Sequence, residues 1–256
     1  MIKRVKTAPA APMRRGLLPR LRNARIRSKL GLILVIPIAA LVGIALVRLA
    51  EAGQSVVQSQ GTLKYAVLSQ EAAALSEDLQ IERSLATLLL TSPPQRQQRI
   101  EGQYEAQWKL TDQQAEAYEV AREDLGTLSP NTRELLDRIS AQLDELDRLR
   151  DLVTDRNKIT LSSAIFRYRI MIADLLAYRE SLANIAGETE AADLARAAAA
   201  ISSYGEYMSQ EQVVGLRLLA VGDGGIREEL SPVQQEAFIA TLAGQAESLR
   251  AFGNVA

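Results

Sequence analysis

Residues 68–94 read LSQEAAALSEDLQIERSLATLLLTSPP. Leu68, Leu75, Leu79, Ala86 and Leu89 recur at helical steps near one stripe, and strand-like alternation is absent. Thr91-Ser92-Pro93-Pro94 then breaks the helix at about Leu90, and a hydroxyl followed by proline starts the next one. Arg83 falls four residues after Leu79 and three before Ala86, so it shares the apolar stripe. A guanidinium on a core-facing stripe needs a partner, because an unpaired buried charge is expensive. Two partners suit it: an acid on a neighbouring helix, or a small oxyanion held by the planar fork.

The same grammar continues downstream. The second helix runs to about Leu125 and stops at Gly126, and Ser129-Pro130 opens a third. Leu136, Ile139, Leu143, Leu146 and Val153 give that third helix a seam like that of a coiled coil. A fourth is expected over about Thr160–Ala186, bounded by Gly187, with Ile165, Ile172, Leu175, Leu176, Leu182 and Ile185 on its buried side. A fifth spans about Ala191–Val221, ended by Gly222-Asp223-Gly224-Gly225, and Ser231-Pro232 caps a sixth that ends near Phe252. Long helices joined by short loops pack as an elongated antiparallel bundle, so the fold class is all-α. Aromatic residues make up 4% of the chain, which predicts a core mainly of Leu, Ile and Ala.

Upstream, the character changes. Residues 1–29 carry ten cations and no acid, lack an apolar period, and are expected to be a disordered cytoplasmic tail held near anionic lipid heads. Leu30 to Val47 is an uncharged run, LGLILVIPIAALVGIALV, about 27 Å long as a helix and close to a hydrocarbon core. Basic flanks stay cytoplasmic, so residues 30–50 read as a transmembrane anchor helix and residues 51–256 as an extracytoplasmic domain. The rival reading is a cleaved signal peptide, with Ala50 and Ala52 as the small-residue pattern. Beyond the membrane, an apolar stripe continues at Val57, Leu63 and Val67, which predicts a homodimer through the membrane-proximal first helix.

Composition narrows the function. The chain has 30 basic and 31 acidic residues; ten of the cations precede residue 30, leaving 20 against 31, or −11, for residues 30–256. That balance argues against nucleic-acid binding. With no Cys and no His, disulfides, thiol nucleophiles, imidazole bases and histidine phosphorylation within this chain are excluded. No catalytic constellation, cofactor or metal site is expected.

Two further motifs stand out. Glu206, Ser209, Glu211 and Gln212 lie on the fifth helix, with Glu206 and Ser209 a three-residue step apart on one face. By themselves they form a polar patch, and Thr111-Asp112 by itself is a cap or surface pair. Taken in order, however, the motifs resemble the nitrate- and nitrite-sensing domain found outside the membrane in actinobacterial sensor histidine kinases. The resemblance covers roughly residues 29–256. It rests on the anchor, QxER at Gln80, Glu82 and Arg83, Thr111-Asp112, LxxLR at Leu146, Leu149 and Arg150, Tyr168 and Ile172 before Leu175-Leu176, and E-x-x-S-x-E at Glu206, Ser209 and Glu211. It implies an all-helical fold and a small anion held between an arginine of the first helix, here Arg83, and a late arginine, whose position here is Gln212. Ser84 stands where the family usually has glycine.

The resemblance implies Arg83, Glu206, Ser209 and Gln212 as the ligand-binding set. It implies an extracytoplasmic input module of a two-component sensor kinase, whose members return through a second membrane helix to a cytoplasmic kinase output, so the chain is expected to be either a fragment of such a kinase or a truncated gene product. The alternative is a membrane-anchored adaptor or structural bundle that binds a polypeptide and no small molecule.

Overall fold

The computed structural model describes residues 60–126, 128–185, 190–221 and 231–255. Those residues form seven α-helices and no strand: α1 Gln60–Thr91, α2 Pro94–Glu123, α3 Pro130–Asp144, α4 Leu146–Thr154, α5 Leu161–Ile185, α6 Glu190–Val221 and α7 Pro232–Gly253. The proline signals hold at three helix starts. Pro94, Pro130 and Pro232 each sit in the first turn, Ser129 accepts from the Thr132 amide, and Ser231 with Gln234 forms a reciprocal capping box.

The expected third helix is two. Glu145 ends α3, its amide reaching the Gln142 and Leu143 carbonyls, and also begins α4. The break re-aims the chain: Leu146, Leu149, Arg150 and Val153 are all buried on the short α4, whereas α3 buries only Leu136 and Ile139.

Helix α1 is the hub, packing against α2, α5 and α6, with α7 lying against α6. Its partners run antiparallel where cross-links mark the register. Along α1, Lys64, Glu71 and Asp78 meet Asp124 (just past α2) and Gln114 and Gln107 of α2, ascending numbers on one helix matching descending numbers on the other. Against α5, Glu82 meets Tyr168 and Ser69 meets Arg179 in the same reversed sense. The expected stripe of Leu68, Leu75, Leu79, Ala86 and Leu89 is buried throughout. Each leucine side chain so buried contributes about 1.5–3 kcal/mol of transfer free energy.

The core is mainly Leu, Ile and Ala, as composition indicates, with four tyrosines added. Tyr104, Tyr118, Tyr168 and Tyr178 are fully buried beside the aliphatic residues. Phenols give ring area together with an O–H; Tyr168 donates to a buried carboxylate described below and Tyr104 bonds the Tyr168 hydroxyl. At the α6–α7 contact, Gly244 admits the Tyr207 ring; a Cβ there would lie 2.4 Å from the ring. Gln245 ties the same pair of helices together by donating to Glu211 at 2.8 Å.

Among the described residues, no helix is long and apolar enough to cross a membrane. The expected basic tail, the anchor at 30–50, Val57 and the glycine-rich 222–225 loop lie outside the described residues. Leu63 and Val67, from the expected membrane-proximal stripe, are exposed.

Candidate functional site

Glu82 and Arg83 are consecutive on α1 and both are buried. Consecutive residues on a helix project about 100° apart, so the two charges need partners from different neighbours. The bundle supplies both.

On one side, Arg83 faces α6. Its Nη1 donates to Glu206 Oε1 at 2.7 Å, and its Nη2 donates to Glu206 Oε2 at 3.0 Å and to Ser209 Oγ at 2.8 Å. Arg83 is 1% exposed and Glu206 6%. This is the bidentate fork that a guanidinium offers to any planar oxyanion, taken here by a carboxylate of the chain itself. The three-residue step from Glu206 to Ser209 puts both acceptors on the α1-facing side of α6. Gln210 Nε2 donates to Glu206 Oε1 at 2.7 Å, giving the carboxylate a second donor. The Nε of Arg83 is buried and has no hydrogen-bond partner among the described residues.

On the other side, Glu82 faces α4 and α5 and is completely buried. Arg150 Nε donates to Glu82 Oε1 at 3.0 Å and Arg150 Nη2 to Oε2 at 3.1 Å. Tyr168 donates its hydroxyl to Oε1 at 2.8 Å and lies 2.7 Å from the Tyr104 hydroxyl. Arg150 Nη1 donates to Asp112 at 2.6 Å and to Asp147 at 2.9 Å. The guanidinium lies 5.5 Å from the centre of the Trp108 ring, which Tyr104 meets edge-on. Burial alone would lower the Arg150 pKa, but the hydrogen bonds and charges of Glu82 and Asp112 outweigh it and hold it above the usual arginine value. Burial, then the Glu82 charge, pushes the Tyr168 phenol well above its ordinary range. Tyr168 therefore stays protonated and donates.

The sequence motifs map onto this pair of clusters. Arg83, Glu206 and Ser209 come together. Gln212 is exposed on α6, one residue before buried Val213. Ser84 is buried and returns its hydroxyl to the Gln80 carbonyl at 2.9 Å. Thr111 is buried, and Asp112, read as a surface or cap residue, reaches Arg150. The arginine of LxxLR, the glutamate of QxER, Tyr168 and Asp112 thus meet in one network. Sequence spacing did not join them. The usable signal was the adjacency of Glu82 to a stripe-facing Arg83, which makes a second buried ion pair necessary if α1 is covered on both sides.

Chemically, the Arg83 cluster can hold or exchange a small planar anion, while the Glu82 cluster fixes three helices around a saturated carboxylate. The NasR transcription antiterminator has a similar structure, with a TM-score of 0.69 at 21% sequence identity, over 82% of this chain and 56% of that one. The chain therefore spans little more than half of that protein, and the likeness concerns the fold. No protein of curated function matches the chain. The sequence profile for nitrate and nitrite sensing matches residues 74–256, which include both clusters and every described helix from the middle of α1 onward. The chain belongs to the nitrate and nitrite sensing domain family.

Proposed function

We propose that this chain is the ligand-sensing input module of a membrane-anchored signalling protein, responding to nitrate, nitrite or another small anion through Arg83. The observation that carries the reading is the Arg83 fork: a buried guanidinium between α1 and α6, held among the described residues only by Glu206 and Ser209, with an Nε that has no partner among them. Glu206 takes the place an oxyanion would take. Binding is then an exchange in which the anion enters the fork, Glu206 withdraws, and α6 shifts against α1. Glu206 retains Gln210 as a donor when it leaves, which lowers the cost of the exchange.

In this reading the shift is passed to the anchor expected at residues 30–50 and on to a cytoplasmic kinase output. The working unit is a homodimer through the exposed Leu63 and Val67 of α1; Val67 lines an open groove with Glu71, Val120 and Asp124. A second reading has one observation in its favour. Glu206 satisfies both terminal nitrogens of Arg83, as it would in a purely structural ion pair within an anchored adaptor.

Calorimetric titration of the full chain with nitrate and with nitrite separates the two. The sensing reading expects Glu206→Gln to tighten binding by about 10- to 100-fold, the equivalent of one charge-assisted hydrogen bond of ~1.5–3 kcal/mol no longer competed for. It expects Arg83→Gln to abolish binding. If the folded Glu206→Gln variant binds neither anion, the adaptor reading replaces it.

A further inference from the structure

Three arginines are buried in the described bundle: Arg83, Arg150 and Arg179. The first two each face a carboxylate in bidentate geometry. Arg179, on α5, has no carboxylate partner among the described residues. Its contacts are two serine hydroxyls from two other helices. Nε donates to Ser69 Oγ of α1 at 3.4 Å, and Nη1 donates to Ser202 Oγ of α6. Its Nη2 has no hydrogen-bond partner among the described residues.

We infer that Arg179, Ser69 and Ser202 form a second binding place, for a small monovalent anion, at the junction of α1, α5 and α6. A guanidinium taken out of water without a counter-charge is among the costlier things a core can hold. Burial by itself pulls the Arg179 pKa down to about 10, with no neighbouring charge opposing it. A hydroxyl that accepts from arginine keeps its own O–H free, so Ser69 and Ser202 add two donors that can turn toward the same anion. A single positive charge is neutralised by a single negative one, which disfavours sulfate and phosphate dianions. The place is separate from the Arg83 fork, whose α6 partners lie one to two turns farther along that helix, at Glu206 and Ser209. It does not depend on whether Arg83 binds a ligand. An anion here would tie α6 to α1 and α5 at a second point.

The test is thermal unfolding of the detergent-solubilised full chain in gluconate, chloride and nitrate at fixed ionic strength, so that screening is constant. Wild type should gain stability with chloride or nitrate concentration as mass action requires, relative to gluconate. The double variant Arg83→Met/Glu206→Leu, which removes the other anion site, should keep that response, and adding Arg179→Met to it should remove the response. In the same double-variant background, Ser202→Asp, which gives Arg179 a carboxylate of its own, should raise the midpoint in gluconate and abolish the response. A double-variant midpoint indifferent to the anion overturns the proposal, and so does a response that survives the addition of Arg179→Met. Should that triple variant fail to fold, an undiminished response after adding Ser202→Asp to the double variant overturns it equally.

Discussion

Glu82 and Arg83 are neighbours in the chain, yet their surroundings differ in how fully each charge is answered. The Glu82 carboxylate accepts three hydrogen bonds, two from Arg150 and one from Tyr168, and the second-layer groups Asp112, Asp147, Tyr104 and Trp108 hold those donors in turn. Among the described residues Arg83 has one carboxylate, one hydroxyl and a buried Nε with nothing to donate to. A saturated cluster resists change because every alternative leaves a buried polar group unmet. An undersatisfied one can exchange partners at little cost. One face of α1 is therefore a frame and the other a point of adjustment.

The largest expected effect breaks the frame. Arg150→Met strands Glu82 in the core and should cost about 3–5 kcal/mol in urea unfolding. Arg83→Met should cost somewhat less, about 3 kcal/mol, because Glu206 keeps Gln210 and sits nearer solvent. The two sides should then part company on repair. Adding Glu206→Leu to Arg83→Met should recover most of the loss, since it removes the stranded charge. Adding Glu82→Leu to Arg150→Met should leave at least about 1–3 kcal/mol missing, because Tyr168 loses its acceptor and Trp108 its cation. Equal recovery on both sides would erase the distinction.

How much of this was legible beforehand follows from the range of the signals. Helix starts at Pro94, Pro130 and Pro232 were readable because capping and proline geometry are local. The burial of Arg83 was readable because helical periodicity places it on the leucine stripe. Periodicity marks one face, however, and α1 is covered on two, so the burial of Glu82 and its meeting with Arg150 did not follow. The break at Glu145 has no glycine or proline to announce it; it serves packing that only the assembled bundle requires. The low aromatic content rightly indicated a core mainly of Leu, Ile and Ala, but composition does not say that four of the few aromatic residues, all tyrosines, are fully buried in it. Gln212 entered the candidate set through resemblance to a motif, and its exposed position is a tertiary fact.

Smaller effects sharpen the same contrast. Tyr168→Phe takes one donor from Glu82 and should cost about 2 kcal/mol, measurable by chemical unfolding. Tyr178→Phe should cost under ~1 kcal/mol or stabilise, because its buried hydroxyl has no partner among the described residues. Tyr104, Tyr118, Tyr168 and Tyr178 are all held above the ordinary tyrosine range, chiefly by burial. The unfolded phenols ionise near pH ~10 while the folded ones do not, so the unfolded state binds fewer protons there. Stability should be full below about pH 10 and fall as pH rises through the folded values, with a shallower fall in Tyr178→Phe. Urea midpoints measured across that range check both the sign and the slope.

The sharpest test uses the absence of cysteine, which lets spin labels be placed without background. One pair at Ile81 and Leu218 reports the spacing of α1 and α6; a second at Ile81 and Leu110 reports that of α1 and α2, and all three positions are exposed. On addition of nitrate to the full chain, the α1–α6 distance distribution should shift while the α1–α2 distribution stays fixed. The shift should vanish in Arg83→Gln. Nitrate binding detected by calorimetry with neither distance changing, or with both changing equally, would contradict the division of α1 into a fixed face and an adjustable one.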